Sequence, residues 1–294
     1  MLKMYQNHAH SGSSVELWEE NWQSAQFNQG LQFCRIDPLR PLFEKYAKKG
    51  MLMLEGGCGI GQYVTFYTHR GVKVVGLDFA QKALKKLNQR VSDLRLCAGN
   101  VAALPFQDES FDVYYSGGVV EHFEDGAEKS LREAHRVLKK DGVLLISVPY
   151  FSPLRRLLYP FKKNHWRRVN ESKTEQKTEK SLSFFQYAYQ THEFSKMLEN
   201  ADFEVVKTQG YAVIWGLSEL SFLGGKSEIQ KSENGEKTVI EEKPDLSNIN
   251  QNVSQTLLRK LVVSEDDSVP VLGLGVKIMR WATANMMMYV CVRK

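Results

Sequence analysis

The sequence predicts a doubly wound α/β fold, and three observations support this prediction. Short apolar segments of strand length recur between residues 51 and 149. Helical segments with one apolar face separate them, as in Ala127 to Leu138, where apolar residues recur at helical spacing. The connections between these segments are short. Such alternation is typical of a parallel sheet covered by helices on both faces.

Five near-continuous apolar segments are expected to form buried parallel strands. They are residues 51–54, 72–77, 94–97, 111–115 and 143–148. The helix before the last of them follows Asp125 and Gly126, and Asp141 with Gly142 predicts its end.

The composition excludes several other architectures. The chain has 294 residues, of which 43 % are hydrophobic and 25 % charged, and its formal net charge is +5. These values are ordinary for a globular protein that buries a large core, and they exclude intrinsic disorder, collagen and coiled coil as the main architecture. The four cysteines form no CxxC pair, so reduced thiols in a cytoplasmic protein are expected. They are Cys34, Cys58, Cys97 and Cys291.

Four regions are expected along the chain. They are residues 1–50, an N-terminal helical lid segment; 51–150, the ligand-binding core; 151–190, a basic aromatic lid; and 191–294, the C-terminal part of the sheet. Residues 1–14 do not resemble a signal peptide, and no apolar run is long enough for a transmembrane helix.

The last region contains further predicted elements. Thr191 is the expected N-cap of a helix that ends near Ala201. A sixth strand is expected from Phe203 to Val206, with a possible extension to Trp215, and a final strand over residues 285–292. The polar residues 224–255 predict a mobile insertion, and the apolar stretch 269–292 predicts a core helix followed by a core strand.

A glycine-rich loop follows the first predicted strand. Residues 54–61 read LEGGCGIG, and glycines allow a sharp turn and close approach of a ligand to the backbone. The helix that follows would offer unpaired N–H groups at its first turn. A dinucleotide fingerprint requires a third glycine at position 62, which is Gln62, and no P-loop Gly-Lys-Ser/Thr is present.

Asp78 ends the second predicted strand, next to the glycine loop. A carboxylate at this place can accept hydrogen bonds from both hydroxyls of a ribose. The alternative is that Asp78 caps the helix beginning near Phe79. Loop and acid together favour a nucleoside ligand without a pyrophosphate.

These motifs resemble those of class I S-adenosylmethionine-dependent methyltransferases, most of all the small-molecule group typified by the quinone-biosynthesis methyltransferases. Four segments match in order: LEGGCGIGQ, VVGLDFA, AGNVAALPFQDESFDVYYS and EAHRVLKKDGVLLISVP. The resemblance covers about residues 50–150, with a weaker match at 191–206. It implies a Rossmann-like seven-stranded sheet with an antiparallel last strand, and S-adenosyl-L-methionine as the cofactor.

The resemblance also implies which residues bind the cofactor. Glu55, Gly56, Gly57, Cys58 and Gly59 would lie at the methionine moiety, Asp78 and Phe79 at the ribose, Asn100 and Val101 at the adenine, and Ser116 and Gly117 at the methionine tail or the substrate. The family more often has Asp at the position of Asn100, whose carbonyl can still accept a hydrogen bond from the exocyclic amine.

His122 is the candidate general base, because it lies just beyond the fourth strand at the carboxyl edge of the sheet. The alternative is that His122 packs against, or caps, the next helix. Some relatives hold a metal with a Glu-His pair and a further Glu three residues earlier, but that position is Gly118 here, so no metal is predicted. His8 and His10 are expected to be exposed to solvent.

Two segments outside the core are candidate lids. Residues 15–33 contain Trp18, Trp22 and Phe27, which would either close over the cofactor or pack as an amphipathic helix. Residues 154–168 have no acid and six basic side chains: Arg155, Arg156, Lys162, Lys163, Arg167 and Arg168. They indicate an acidic substrate or an anionic membrane surface, unless they form a solvated face.

The expected function is in-line methyl transfer from S-adenosyl-L-methionine to a small-molecule or lipid-linked acceptor. The alternative is a non-catalytic cofactor-binding regulator or assembly protein with the same fold. Nucleic acid is not an expected partner. The expected location is the cytoplasm, with peripheral contact at the inner membrane face as a further possibility.

Overall fold

The computed structural model describes residues 1–6, 11–161, 166–168, 183–218 and 270–294 of the chain. The strands are β1 (Leu2–Gln6), β2 (Leu52–Gly56), β3 (Lys73–Asp78), β4 (Arg95–Ala98), β5 (Phe111–Gly117), β6 (Leu138–Pro149), β7 (Trp166–Arg168), β8 (Ser183–Ala188), β9 (Phe203–Tyr211) and β10 (Met286–Arg293). The helices are α1 (Val15–Ser24), α2 (Phe27–Ile36), α3 (Arg40–Tyr46), α4 (Gln62–Thr68), α5 (Gln81–Arg90), α6 (Glu128–Val137), α7 (Pro153–Leu158), α8 (Thr191–Glu199), α9 (Val213–Ser218) and α10 (Pro270–Thr283).

Seven strands form one mixed sheet in the order β4-β3-β2-β5-β6-β10-β9. The first five are parallel to one another. β10 is antiparallel to both of its neighbours, β6 and β9. The predicted doubly wound, seven-stranded sheet with an antiparallel last strand is therefore confirmed.

The sheet is buried on both faces because helices cover each side, and successive strand residues point to opposite sides. Leu54 and Tyr114 pack into one apolar cluster, which includes Leu131 of α6 and Phe194 of α8. Met53, the residue before Leu54, packs into the other cluster with α2, α3, α4 and α5. This two-sided burial explains why the predicted strands are continuous apolar runs.

Two predicted helix boundaries are wrong. α6 passes directly into β6 at Leu138, so Asp141 and Gly142 lie within a strand and do not end the helix. The register of β6 against β5 shifts at this point, and Asp141 has a φ of 61°. The N-cap of α8 is Gln190, not Thr191, because the side chains of Gln190 and Glu193 form a reciprocal capping box.

A second sheet, which the sequence analysis did not predict, has the strand order β7-β1-β8. Its central strand β1 belongs to the region expected to be only helical, and it pairs antiparallel with both neighbours. Leu2 is completely buried. β8 also contacts the short 3-10 turn Val120–His122. The chain start is therefore held above the carboxyl edge of the main sheet.

The stretch 269–292 agrees with its prediction only in part. β10 is a core strand, with Met288, Tyr289 and Val290 fully buried. The preceding helix α10 is not a core helix, because Leu274, Ile278 and Trp281 are each more than half exposed.

No helix among the described residues is both long and apolar enough to cross a membrane. The predicted insertion at 224–255 lies outside the described residues, as do His8 and His10.

Candidate functional site

A cavity of about 250 Å³ lies at the carboxyl ends of β2, β3 and β5. Nine of the predicted site residues line it: Glu55, Gly57, Cys58, Asp78, Phe79, Asn100, Val101, Gly117 and His122. The topology explains this convergence, since parallel strands end at one edge of the sheet and ligands bind there.

The glycine loop turns through backbone conformations that favour glycine. Gly57 and Gly59 have φ angles of 79° and 51°. The N–H groups of Gly57 and Cys58 both donate to the carbonyl of Leu77, at 2.7 and 3.0 Å. These two hydrogen bonds tie the loop to β3.

Asp78 joins the loop to the start of α5. One carboxylate oxygen accepts from the Gly59 N–H at 2.7 Å and the other from the Ala80 N–H at 2.8 Å. Ala80 is the N-cap of α5, so the capping contact considered above exists alongside exposure to the cavity. Burial raises the pKa of Asp78, while these hydrogen bonds oppose the increase. Each oxygen retains a second lone pair for a ligand hydroxyl.

Glu55, like Asp78, is an almost completely buried acid of the cavity wall. Burial raises its pKa well above the ordinary value, opposed by a hydrogen bond from the Val64 backbone and increased by the nearby Asp78. Its Oε2 atom is buried and has no hydrogen-bond partner. A buried carboxylate oxygen without a partner carries a large free-energy cost, which a cationic ligand group in the cavity would offset.

The adenine-side prediction rests on Asn100 and Val101. Asn100 is exposed, and its side-chain carbonyl accepts from the Ala102 N–H at 2.8 Å. The Asn100 side-chain oxygen, which was expected to accept from the exocyclic amine of adenine, therefore already uses one lone pair. Val101 is buried and adds an apolar surface to the cavity.

Three predicted residues do not line the cavity: Gly56, Gly59 and Ser116. A Cβ atom at Gly56 would lie 2.3 Å from the hydroxyl of Tyr114, and one at Gly59 would lie 2.8 Å from the Trp22 ring. These glycines therefore permit close packing around the cavity. Ser116 is buried within β5. Their direct contact with a cofactor stays a prediction.

His122 lies in the cavity wall with one ring nitrogen engaged. Its Nδ1 is 2.8 Å from the carbonyl oxygen of Phe185 on β8, so the neutral ring donates from Nδ1 and keeps the lone pair on Nε2. Burial lowers the pKa of His122 to about 4, whereas the hydrogen bond to Phe185 opposes the decrease. The ring is therefore neutral at physiological pH.

Glu121, which the sequence analysis did not select, lies next to this ring. Its Oε1 is 3.9 Å from the His122 Nε2, and its Oε2 is buried without a partner. Burial raises the pKa of Glu121 to about 8. The sequence signal was present as the Glu-His pair, but no pattern showed that both side chains would be buried.

The other side of the cavity is an aromatic cap, defined as residues 11–24. Trp18 and Trp22 line the cavity, and their ring centroids are 5.4 Å apart. The Trp18 indole donates to the Gly12 carbonyl at 2.8 Å and packs edge-on against His122. Glu19 forms an ion pair with Lys82 of α5 at 2.6 Å. The segment thus lies where a lid would lie, and opening and closing stay a prediction.

Several lining residues were missed by the sequence analysis. Gln62 and Tyr63 begin α4 immediately after the glycine loop, while Tyr115 and Val119 lie at and beyond the end of β5. Gln62 had been noted only as the residue that breaks a dinucleotide fingerprint. Position relative to the strand ends is the signal that could have identified all four.

The basic segment differs from its prediction. Arg155 is buried and donates to the backbone carbonyls of Tyr150 and Asn285, at 3.0 and 3.4 Å. It fastens the end of β6 to the start of β10 and presents no charged surface, whereas Arg156 is exposed. Lys162 and Lys163 lie outside the described residues, as do the side chains at 167 and 168.

Comparisons with known proteins agree with this geometry. Residues 54–146 match the family model described as a methyltransferase domain. This stretch of the chain is therefore similar to a methyltransferase domain. S-adenosyl-L-methionine is the cofactor of this family, and the unpartnered oxygen of Glu55 beside Asp78 fits a ligand that carries both an ammonium group and a ribose.

Relatives and solved structures extend the match. A probable S-adenosylmethionine-dependent methyltransferase from Mycolicibacterium smegmatis is 33 % identical over 185 residues, covering 62 % of this chain and 63 % of its own. A demethylmenaquinone methyltransferase from Renibacterium salmoninarum is 38 % identical over 113 residues, covering 37 % and 47 %. The chain thus spans less than two thirds of the length of these relatives. A methyltransferase structure from Archaeoglobus fulgidus shares the fold, with a TM-score of 0.51 at 13 % identity and coverage of 96 % and 100 %.

Proposed function

We propose that this chain transfers a methyl group from S-adenosyl-L-methionine to a small-molecule or lipid-linked acceptor. The observation that carries the proposal is one cavity lined by two buried acids, Glu55 and Asp78, and by a buried histidine, His122. The methyltransferase name of the Mycolicibacterium relative supports the reaction class. The demethylmenaquinone methyltransferase supports a lipid-linked acceptor.

The two acids would hold opposite ends of the cofactor. The free Oε2 of Glu55 would accept from the ammonium of the methionine moiety, and the remaining lone pairs of Asp78 would accept from the ribose hydroxyls. The bound cofactor supplies an activated methyl group on a sulfonium centre. Trp18 and Trp22 would exclude water from the cavity.

His122 would receive the proton of the acceptor. The Phe185 carbonyl fixes the ring so that Nε2 carries the lone pair, and the low pKa keeps it deprotonated at neutral pH. A base with a pKa of about 4 provides little driving force, which favours an acceptor that loses its proton readily or during transfer. Glu121, 3.9 Å away with its pKa raised to about 8, is protonated at neutral pH and would stabilise the resulting imidazolium by charge only once it ionises.

The test uses labelled S-adenosylmethionine with two acceptor pools, an aqueous extract and an organic-solvent lipid extract. We expect transfer of label to at least one pool and cofactor binding by titration calorimetry. Cofactor binding without transfer to either pool would instead favour a non-catalytic cofactor-binding protein.

The role of His122 is tested with His122→Asn, because the Asn side-chain amide can still donate to the Phe185 carbonyl. Loss of general-base catalysis should lower turnover by about 10²–10⁴-fold while cofactor affinity changes little. His135→Asn on α6, outside the cavity lining, is the matched control and should retain turnover. Full turnover in His122→Asn would make His122 a packing residue.

A further inference from the structure

Five large apolar side chains remain exposed on two neighbouring elements. Leu157 and Phe161, on α7 and the 3-10 turn Tyr159–Phe161 that follows it, are each 70 % exposed. Leu274, Ile278 and Trp281 of α10 are 61, 54 and 58 % exposed. α7 and α10 pack against each other, and we call the exposed apolar side chains of these two neighbouring elements the α7–α10 face.

The face is not the outward side of an ordinary amphipathic helix. On the first segment, Leu158 and Tyr159 are buried, so apolar residues lie on both its inner and outer sides. On α10, residues 274, 278 and 281 follow the i, i+4, i+7 spacing of a single stripe that faces solvent. Large apolar side chains exposed on two packed elements indicate an interaction site.

The charges on the face select the partner. Neither α7 nor α10 contains an Asp or Glu, and Arg156 and Lys277 are exposed beside the apolar side chains. Two copies of the chain joined through this face would bring these like charges together, which disfavours a homodimer. A lipid surface accepts apolar side chains below its headgroups and places basic side chains at anionic phosphates.

We propose that the α7–α10 face docks the protein on an anionic membrane surface. α7 follows the carboxyl end of β6, and Met286 at the start of β10, just beyond α10, pairs with Pro149. The face therefore lies at the same sheet edge as the cavity. Docking would bring a lipid-linked acceptor to the edge of the cavity, a consequence that rests on the proposed function.

The test is co-sedimentation of the full chain with vesicles of phosphatidylcholine, with and without phosphatidylglycerol. We expect binding that requires phosphatidylglycerol and weakens with salt. Trp281→Glu and Phe161→Glu should each reduce vesicle binding by about tenfold or more, because each removes a large apolar contact with the lipid and adds a like charge. Ile36→Glu on α2, where Ile36 is 52 % exposed, is the matched control and should bind as the wild type does.

Absence of wild-type binding to the mixed vesicles would overturn the proposal, and so would an equal loss in Ile36→Glu. A lipid-free dimer that light scattering detects and Trp281→Glu abolishes would assign the face to a second copy. Thermal unfolding of each variant confirms that it is folded, which is expected at exposed positions. Cofactor binding and transfer to aqueous acceptors are measured without vesicles, so failure of methyl transfer is distinguishable from failure of docking.

Discussion

The two sides of the cavity are built differently. The sheet side presents buried acids fixed by backbone hydrogen bonds, as where Gly59 and Ala80 both donate to Asp78. The aromatic cap presents Trp18 and Trp22 and contacts α5 through the partly exposed ion pair of Glu19 and Lys82 and a hydrogen bond from Lys86 to the Gln23 carbonyl. Exposed ion pairs contribute little to stability. Polar recognition therefore belongs to the sheet side, and we expect the cap to be the side that opens more readily.

The largest expected difference between the two sides concerns added Cβ atoms in the glycine loop. At Gly57 a Cβ would lie 2.3 Å from Val119, within the sheet side, and at Gly59 it would lie 2.8 Å from the Trp22 ring of the cap. Gly57→Ala should cost about 2–5 kcal/mol of unfolding free energy, from a positive φ plus overpacking. Gly59→Ala should cost less, because the cap can move. Urea denaturation measures both.

Gly50→Ala is the control for the backbone contribution. Gly50 has a φ of 87° and no atom within 4 Å of an added Cβ, so its cost is strain without overlap. If Gly57→Ala were no worse than Gly50→Ala, the sheet side would be as adaptable as the cap.

The next effect concerns Asp78 and cofactor affinity. Asp78→Asn removes the charge and part of the accepting capacity, and should weaken S-adenosylmethionine binding by about 1–3 kcal/mol, measured by titration calorimetry. Asp112→Asn is the matched control, because Asp112 also accepts from a backbone N–H, that of Leu52 at 2.8 Å, yet does not line the cavity. Unchanged cofactor affinity in Asp78→Asn would mean that Asp78 does not bind the cofactor and only contacts the start of α5.

A smaller, pH-dependent effect is expected at Glu121. Its folded pKa of about 8 lies above the ordinary 4.5, so the native state binds a proton that the unfolded chain has released between these values. Wild-type stability should therefore fall relative to Glu121→Gln as pH rises from 4.5 to 8, by up to about 1.4 kcal/mol per pH unit. Urea denaturation at several pH values measures this difference.

Glu133→Gln provides the opposite case. The Arg136 side chain lowers the pKa of Glu133, so its contribution to stability is present above pH 4.5 and is lost only as pH falls below that value. The difference in unfolding free energy between Glu133→Gln and the wild type should stay constant between pH 5 and 8. A constant difference for Glu121→Gln as well would mean that its carboxyl group is not held protonated in the fold.

Regions of the molecule also differ in how far the sequence predicts them. Continuous apolar runs predicted the parallel strands, and the motifs at the ends of β2, β3, β4 and β5 predicted nine lining residues, because both depend on local sequence. The β7-β1-β8 sheet was missed because β1 pairs Leu2 with Ala188, far along the chain. Arg155 was misplaced for a similar reason, since its acceptor Asn285 joins it only in the folded sheet.

The smallest expected effect concerns the ion pair that fastens the cap. Lys82 is 70 % exposed and Glu19 14 %, so solvent and salt screen their attraction. Glu19→Gln and Lys82→Met should each release the cofactor slightly faster than the wild type in stopped flow. In the double-mutant cycle, we expect a coupling energy between the two substitutions that disappears at high salt. Lys85→Met, on the same helix, is the control and should leave the release rate unchanged. A large coupling that persisted in high salt would show that the cap is held as firmly as the sheet side, and the contrast between the two sides would fail.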